Sequence, residues 1–235
     1  MLCKQETLRV YAQAYTEEMN SYAGTFESHI TVNAESYTQV ERFRQLCAEM
    51  ELKSIVIELA RGVSRTQPMT ATHHQGSLES VLAEVQSIAQ AFERHGFNVA
   101  RVKLEADPDN NGVPHTDAEA SLLPATNYFE FHVLVILTGL SELSALGELC
   151  AQHDVHLSSN AFKRLPEGKA QRFVTMRLYG VGRNRAAALF ERLSSDLEKA
   201  GYRIARAVRE YVVYDTNLLL DAGWMDSPET SADER

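Results

Sequence analysis

The chain has 235 residues, of which 44% are hydrophobic and 23% charged, and its formal net charge is −9. This is the composition of a globular protein, and the acidic excess argues against a protein that holds duplex nucleic acid by neutralising its phosphates. Because the sequence has neither an apolar run of about 20 residues nor the basic start of a signal peptide, we expect a cytoplasmic protein without a membrane partner.

Residues 1–25 predict an N-terminal extension with a helix around Glu6 to Tyr22. The first repeat, 26–105, follows it and has the order strand, helix, strand, strand, helix, strand. Apolar residues alternate in its predicted strands and recur at helical spacing in its predicted helices. Its predicted elements are a strand at 26–32, a helix at 37–47, strands at 52–59 and 67–74, a helix at 78–92 that ends at Gly96, and a strand at 99–105.

Residues 106–128 form a linker rich in Pro, Asn, Asp and Gly, which is a candidate lid. The second repeat, 129–210, has the same order of elements as the first. Residues 211–235 are an unrepeated C-terminal extension, which we expect to cover a sheet edge and to end in a disordered tail from Ser227. The second repeat's predicted elements are a strand at 129–137, a helix at 140–150, strands at 155–162 and 173–179, a helix at 190–197 that ends before Gly201, and a strand at 204–210.

Three segments of the first repeat return in the second. Residues 26–29 and 46–48 recur 103 positions later, and 96–101 recur 105 positions later. A βαββαβ unit is the ferredoxin-like plan, with both helices on one face of an antiparallel sheet. The sequence therefore predicts an α+β fold, a tandem duplication of ferredoxin-like units packed as one pseudo-twofold domain. We expect the open sheet faces to be buried together or to form a cleft, because an exposed apolar sheet promotes aggregation.

The first strand of each repeat carries Glu-x-His, as Glu27/His29 and Glu130/His132. Side chains alternate along a strand, so the apolar neighbours of these residues face the helices and the Glu-x-His side chains face the cleft. Imidazole titrates near neutral pH, and a nearby carboxylate raises its basicity. The four residues are therefore candidate catalytic groups, and the alternative is that each pair is a structural hydrogen bond.

The third strand of each repeat offers candidate substrate-binding residues. One of His73 and His74 should face the cleft, and the sequence does not decide between them. In the second repeat Thr175, Arg177 and Tyr179 share one face, where a guanidinium and a phenol would suit a phosphate or carboxylate. Weaker candidates stand at equivalent places in the last strands, with edge-strand charge as the alternative: Arg101, Arg206, Glu105 and Glu210.

The cysteines and glycines predict no cofactor site. Cys47 and Cys150 fall among apolar helix positions, which suits small core residues. His29, His73 or His74 with Glu27 could bind zinc, manganese or iron, but no diagnostic ligand spacing is present. We therefore predict no metal site, and the sequence names no cofactor.

His29-Ile30-Thr31-Val32 matches the motif His-x-Thr/Ser-hydrophobic of the two-histidine phosphoesterases, also called the RNA ligase-like or cyclic phosphodiesterase superfamily. The chain resembles that family in having one motif strand in each half of a pseudo-symmetric duplication. The resemblance implies that His29 and His132 are acid–base residues facing each other over a phosphate, and that Thr31 donates a hydrogen bond to it. The second copy lacks the hydroxyl, unless Thr175 or Tyr179 supplies it.

These features predict a small enzyme with a cleft between its repeats, and phosphoester hydrolysis of a nucleotide or cyclic phosphate is its sharpest version. One alternative is a non-catalytic ligand-binding or assembly module of ferredoxin-like repeats. Another is a fused α+β barrel enzyme with an apolar substrate. A phosphoesterase needs two imidazoles separated by about the size of one phosphate. A barrel enzyme needs an apolar pocket of about 300 Å³ or more. A non-catalytic module needs neither feature.

Overall fold

A computed structural model describes residues 22–34, 36–139, 141–160 and 169–225. The expected N-terminal helix, apart from its last residue, lies outside the described residues, as does the polar tail. Among the described helices, none is long and apolar enough to cross a membrane.

Strands and helices follow one another in the predicted order, and both halves read strand, helix, two strands, helix, strand. The third strand of the first half is interrupted at Ala71 and is counted as two. The strands are β1 Ala23–Val32, β2 Ser54–Leu59, β3 Thr66–Thr70, β4 Thr72–Ser77, β5 Val99–Ala106, β6 Tyr128–Leu137, β7 His156–Asn160, β8 Ala170–Tyr179 and β9 Arg203–Asp215. The helices are α1 Tyr37–Glu49, α2 Leu78–Arg94, the short α3 Asp117–Ala120, α4 Glu142–Gln152 and α5 Arg183–Lys199.

All described strands join one antiparallel sheet in the order β3-β2-β7-β8-β6-β9-β5-β1-β4. The sheet closes on itself because β3 also pairs with β1, where Thr31 lies opposite Met69. Since β3 and β4 together occupy one position beside β1, the closed sheet is an eight-stranded barrel.

The α+β class is confirmed, but the halves meet differently from the expected face-to-face packing. Their edges pair instead, β2 with β7 and β5 with β9. Edge pairing satisfies the backbone groups of four strands that would otherwise be exposed, and it turns both open sheet faces toward one interior. We call this interior the lumen.

The apolar core lies outside the lumen, between the barrel and the helices. In β1, Phe26 and Ile30 point outward and are almost completely buried. The helix α2 supplies an apolar stripe that includes Val81, Val85 and Phe92, all fully buried. It begins at Ser77, whose hydroxyl accepts from Ser80 N at 3.2 Å. The lumen-facing side chains are therefore free to be polar without weakening the main core.

The connection 107–127 runs along the outside of the barrel. Asn110 exchanges hydrogen bonds with the backbone of Thr25, and Asp117 accepts from Gly182 N at 2.8 Å. A Cβ at Gly182 would lie 2.3 Å from Thr116 C, so glycine permits this close approach. None of residues 107–127 lines the lumen, so the expected lid does not form there.

The C-terminal extension covers an end of the barrel rather than a sheet edge. After β9 it forms a short 3-10 helix, Leu218–Asp221. Val63 N donates to Ala222 O at 3.0 Å, and Trp224 Nε1 donates to Leu157 O at 3.0 Å. Asp221 and Trp224 thereby reach the lumen.

Candidate active site in the barrel lumen

The lumen holds a cavity of about 300 Å³. One side of it, which we call the apolar wall, is formed mainly by β2, β3 and β8 and carries Ile55, Ile57, Leu59, Met69 and Phe173, with Trp224 of the extension beside them. The opposite side, the charged wall, is formed by the neighbouring strands β1, β5, β9 and β6. Its ionisable side chains are Glu27, His29, Arg101, Lys103, Glu105, Glu130, His132, Arg206 and Glu210.

Strand alternation places both Glu-x-His pairs on the charged wall. Glu27, His29 and Thr31 line the cavity, while the residues between them face the helices. Glu130 and His132 line it from β6 in the same way. The facing that the sequence predicted for these residues is the one observed.

Both ring nitrogens of His29 are held. Nδ1 lies 2.9 Å from Thr70 O, and Nε2 lies 2.9 Å from Glu105 Oε2. Burial alone would lower the pKa of His29, but the Glu105 carboxylate outweighs burial and raises it. Because a carbonyl and a carboxylate both accept, this geometry fits a doubly protonated, positively charged ring.

Glu105 is 1% exposed and stands between the two histidines. Burial opposes its ionisation, yet Lys103 and His29 together lower its pKa to about 2. Its Oε1 atom lies 2.5 Å from Lys103 Nζ but makes no hydrogen bond of normal geometry. Lys103 instead donates to Glu130 Oε2 at 2.6 Å, so its single charge is shared between two carboxylates.

His132 is less constrained than His29, and its side chain is 26% exposed against 13%. Its Nδ1 lies 2.9 Å from Thr175 Oγ1. Its Nε2 lies 3.5 Å from Glu130 Oε2 and 3.7 Å from Glu210 Oε2, both longer than an ordinary hydrogen bond. A polar nitrogen therefore faces two carboxylates without a close partner.

Glu210 and Glu105 occupy equivalent places in the last strands of the two halves. Burial, together with the charge of Glu105, raises the pKa of Glu210 well above its usual range. The pKa values of these two neighbouring carboxyls are therefore shifted in opposite directions, and paired titratable groups with separated pKa values are typical of acid–base sites.

A second ionic cluster ties the extension to the barrel. Arg101 pairs with Asp215, and its Nη1 donates to Asp221 Oδ2 at 2.9 Å. Arg177 Nη2 donates to the same Asp221 oxygen at 2.9 Å and to Glu130 at 2.6 Å. Both guanidinium groups are paired with carboxylates, and Arg177, a candidate substrate-binding residue, also lines the cavity.

Two candidate substrate-binding residues, His74 and Tyr179, lie outside the cavity. His74 pairs across the sheet with Phe26 and therefore faces the helices, where it contacts Ser28 Oγ at 2.8 Å and Glu84 at 3.0 Å. Tyr179 is 46% exposed and lies at the end of β8 beside Tyr128, outside the cavity. His73 faces Glu27 at 3.9 Å, but its side chain is 71% exposed and does not line the lumen.

Thr31 and Thr175 both line the cavity. Sequence reasoning missed Lys103, Asp221 and Trp224. The signal for Lys103 was present, because it lies two residues from Glu105 and so shares its face of β5. Asp221 and Trp224 belong to an unrepeated segment, and no local pattern connects that segment with the lumen.

Two groups on the charged wall have the composition of a cation site. Glu27, His29 and Glu105 form one, and Glu105, His132 and Glu210 form the other. Within each group the candidate ligand atoms lie within 4.8 Å of one another, and Glu105 belongs to both. Glu27 and His29 of the first half and His132 of the second therefore meet at one shared carboxylate.

No family model and no curated protein sequence matches the chain. Among solved structures, one provisionally described as a glycine cleavage system transcriptional repressor is 11% identical, with 83% of this chain and 99% of that chain covered and a TM-score of 0.29. Another, provisionally described as a chlorite dismutase, is 12% identical, with 81% and 95% covered and a TM-score of 0.26. Both likenesses are too distant to indicate a function.

Proposed function

We propose that the protein is an enzyme that takes a small, partly apolar molecule into the lumen and transfers a proton at its polar end. The observation that carries this proposal is the meeting of Glu27, His29 and His132 around Glu105 beside one cavity. A pocket with an apolar side and a few convergent polar groups is typical of a small-molecule site.

The two walls suggest how the substrate lies. Its apolar part would pack against Ile55, Ile57 and Met69, with Trp224 closing the end. Its polar group would then lie against the charged wall opposite. Most of the molecule would be removed from water, which strengthens every electrostatic interaction inside the lumen.

Glu27 is the group best placed to accept a proton. Its side chain is 16% exposed and lines the cavity. Among the described residues it accepts no hydrogen bond, and its closest charged contact is His73 at 3.9 Å. His29 and Lys103 stand beside it as fixed positive groups, which would stabilise negative charge that develops as a C–H or O–H proton leaves. The reaction class is isomerisation or elimination by proton abstraction.

The proposal is tested by proton exchange rather than by a named substrate. Small keto and hydroxy acids with apolar side chains are incubated with the protein in D₂O, and loss of their exchangeable C–H signals is followed by ¹H NMR. For any compound that exchanges, we expect Glu27→Gln to reduce the rate by two or more decades, on the order of the loss of a general base. His95→Gln, at an exposed histidine at the end of α2, serves as the control and should exchange at the wild-type rate.

Exchange that persists in folded Glu27→Gln would remove Glu27 as the base. If no compound in the panel binds or exchanges, the proton-transfer proposal fails for this class. Binding is followed in parallel by the fluorescence of Trp224, the only tryptophan, which lines the cavity.

Phosphoester hydrolysis by His29 and His132 stays a prediction. It is favoured by the presence of both imidazoles in one lumen. It is disfavoured by electrostatics, because Glu105 stands between the imidazoles and the surrounding carboxylates would repel a phosphate. The test is release of a phosphate-monoester product from 2′,3′-cyclic nucleotides. If the wild type releases this product and His29→Gln does not, phosphoester hydrolysis is better supported than proton transfer.

We also infer that the two halves descend from a duplicated ferredoxin-like unit. In support, the elements have the same order in each half, and the paired positions Glu27/Glu130 and His29/His132 occupy equivalent strands. A structural superposition of 26–105 on 129–210 with most elements in register would agree with this inference.

A further inference from the structure

We propose that the charged wall binds one divalent first-row metal ion through His132 Nε2, Glu210 and Glu105. The three ligands come from neighbouring strands, β6, β9 and β5, and their ligand atoms lie within 4.8 Å of one another. One imidazole and two carboxylates suit zinc, manganese or iron.

The distances at His132 fit ligands of one ion better than hydrogen bonds. Two ligands about 2.1 Å from an ion and about 110° apart are separated by about 3.4 Å. His132 Nε2 lies 3.7 Å from Glu210 Oε2, which is long for a hydrogen bond and within a small side-chain rotation of that separation.

Glu105 supplies an independent observation. Its Oε2 accepts from His29, whereas its buried Oε1 makes no hydrogen bond, although Lys103 Nζ lies close to it. This oxygen is held by the ion pair with Lys103 alone, so an ion at this position would compete with Lys103, which also donates to Glu130.

The inner part of the wall is rich in carboxylates. Glu105, Glu130 and Glu210 are buried, and their close positive groups are Lys103, Arg177 and the ring of His29. Arg206 and Lys53 also line the cavity, but both are exposed. A cation among the buried carboxylates would offset part of their mutual repulsion.

The remaining contacts are those of a reactive metal centre. His132 Nδ1 lies 2.9 Å from Thr175 Oγ1, an outer contact that orients the ring and leaves Nε2 for the metal. Three protein ligands leave a coordination position open, and His132 and Glu210 both line the cavity. The ion would thus meet the polar end of a molecule in the lumen.

The experiment is direct metal binding without substrate. Protein stripped with a chelator is titrated with ZnCl₂ and separately with MnCl₂ by isothermal calorimetry, and bound metal is counted after gel filtration. We expect saturable binding of one ion, weakened about 100-fold or more in His132→Gln and in Glu210→Gln. Thr175→Val, which removes only the outer contact, should weaken it by about 10- to 100-fold.

The matched control is His73→Gln, an exposed histidine beside the same wall, which should bind like wild type. Lys103→Met should bind more tightly, because it removes the ammonium that competes for Glu105. Glu27→Gln should retain the metal while losing proton exchange, so this proposal and the proposed function fail separately.

Absence of saturable binding of either metal, or binding that survives in both ligand variants, overturns the proposal. Loss of metal binding in His29→Gln together with full binding in His132→Gln also overturns it, because the ion would then be held by Glu27, His29 and Glu105. If the ligand variants do not fold, electron spin-echo spectroscopy of the Mn²⁺-loaded wild type decides the matter, since the proposal requires nitrogen coupling from one imidazole.

Discussion

Glu105 and Glu210 show how position in the barrel, rather than residue type, sets the state of a carboxyl group. Both lie on central strands and are buried, but only Glu105 has Lys103 and His29 as close partners. Glu210 has Glu105 as its strongest charged neighbour. The difference follows from Lys103, whose counterpart in the second half is Val208.

Glu210→Gln should make the metal-free protein more stable above neutral pH. The pKa of Glu210 is raised in the folded state. Its contribution to the free energy of unfolding is therefore fully present below its pKa in the unfolded chain, about 4.3, and is lost as pH rises through its pKa in the folded protein. Glutamine carries no such loss, and each unit of pKa elevation corresponds to about 1.4 kcal/mol. The check is urea unfolding at pH 5 and pH 8 with chelator present.

The surface variant Glu41→Gln is the control and should show the wild-type pH dependence. A Glu210→Gln protein that is no more stable than wild type at pH 8 would mean that the folded state does not raise the pKa of Glu210.

At this scale much of the site was predictable. Alternation along β1 and β6 was sufficient to place Glu27, His29, Glu130 and His132 on one surface. The sequence could not decide which face of the sheet His74 occupies, because this depends on which residue of β4 lies opposite Phe26. That register is a property of the pairing and not of the strand's own sequence.

Among the elements, the C-terminal extension depends on a close approach at Gly62. This residue has φ 109°, and a Cβ there would lie 3.0 Å from Ala222 O and 3.1 Å from Trp224 Cβ. The loop between β2 and β3 can therefore pack on the extension only with glycine at this position.

Gly62→Ala should destabilise the protein by about 1–3 kcal/mol, from backbone strain and displacement of the extension. Trp224 fluorescence should shift toward that of an exposed indole before global unfolding begins. The matched control is Gly147→Ala within α4, where a Cβ meets nothing within 4 Å and the helix should gain about 0.5–1 kcal/mol. Equal effects of the two substitutions would contradict the contact.

Asp221→Asn should weaken the attachment of the C-terminal extension, because it removes the negative charge that pairs with Arg101 and Arg177. Burial opposes ionisation of Asp221, but Arg101 and Arg177 outweigh it and lower the pKa. Stability from a lowered pKa is present above the unfolded value of about 3.9 and is lost as pH falls through the folded value. The variant should lose about 3–5 kcal/mol at pH 7, the scale for breaking a buried pair, and differ less from wild type near pH 3.

Thermal unfolding at the two pH values measures this difference. Glu191→Gln breaks the exposed pair with Arg209 and should cost only about 0–1 kcal/mol at either pH. A loss in Asp221→Asn that does not shrink at low pH would assign the effect to packing instead of charge.

The elements themselves were largely predictable, because their apolar periods and end signals are local. Gly96 stands with φ 79° directly after the cap of α2, as its place in the sequence indicates. The extension was not predictable to the same degree. Its partners Gly62, Arg101 and Arg177 are distant in the chain, and nothing in residues 216–225 encodes where they lie.

At the scale of the molecule, closure of the barrel joins the two halves at two seams. β5 pairs with β9 and β2 pairs with β7, so the edge strands of each half are paired on both sides only in the presence of the other half. Ion pairs also cross between halves, among them Lys103 with Glu130 and Arg101 with Asp215. The repeat in the sequence indicates two similar units, but the choice between facing and edge pairing depends on backbone groups that carry no residue signature.

This continuity predicts that both halves unfold in one transition. Phe43 and Leu146 occupy equivalent core positions in the two halves, and each is fully buried. Phe43→Ala should cost about 3–5 kcal/mol and Leu146→Ala about 2–5 kcal/mol. Because the seams couple the halves, each substitution should lower a single calorimetric transition and reduce amide protection in both β1 and β6, whichever half carries it. Two resolved transitions, with each variant shifting only its own, would show that the seams are weaker than the cores and that the lumen is assembled from independently stable halves.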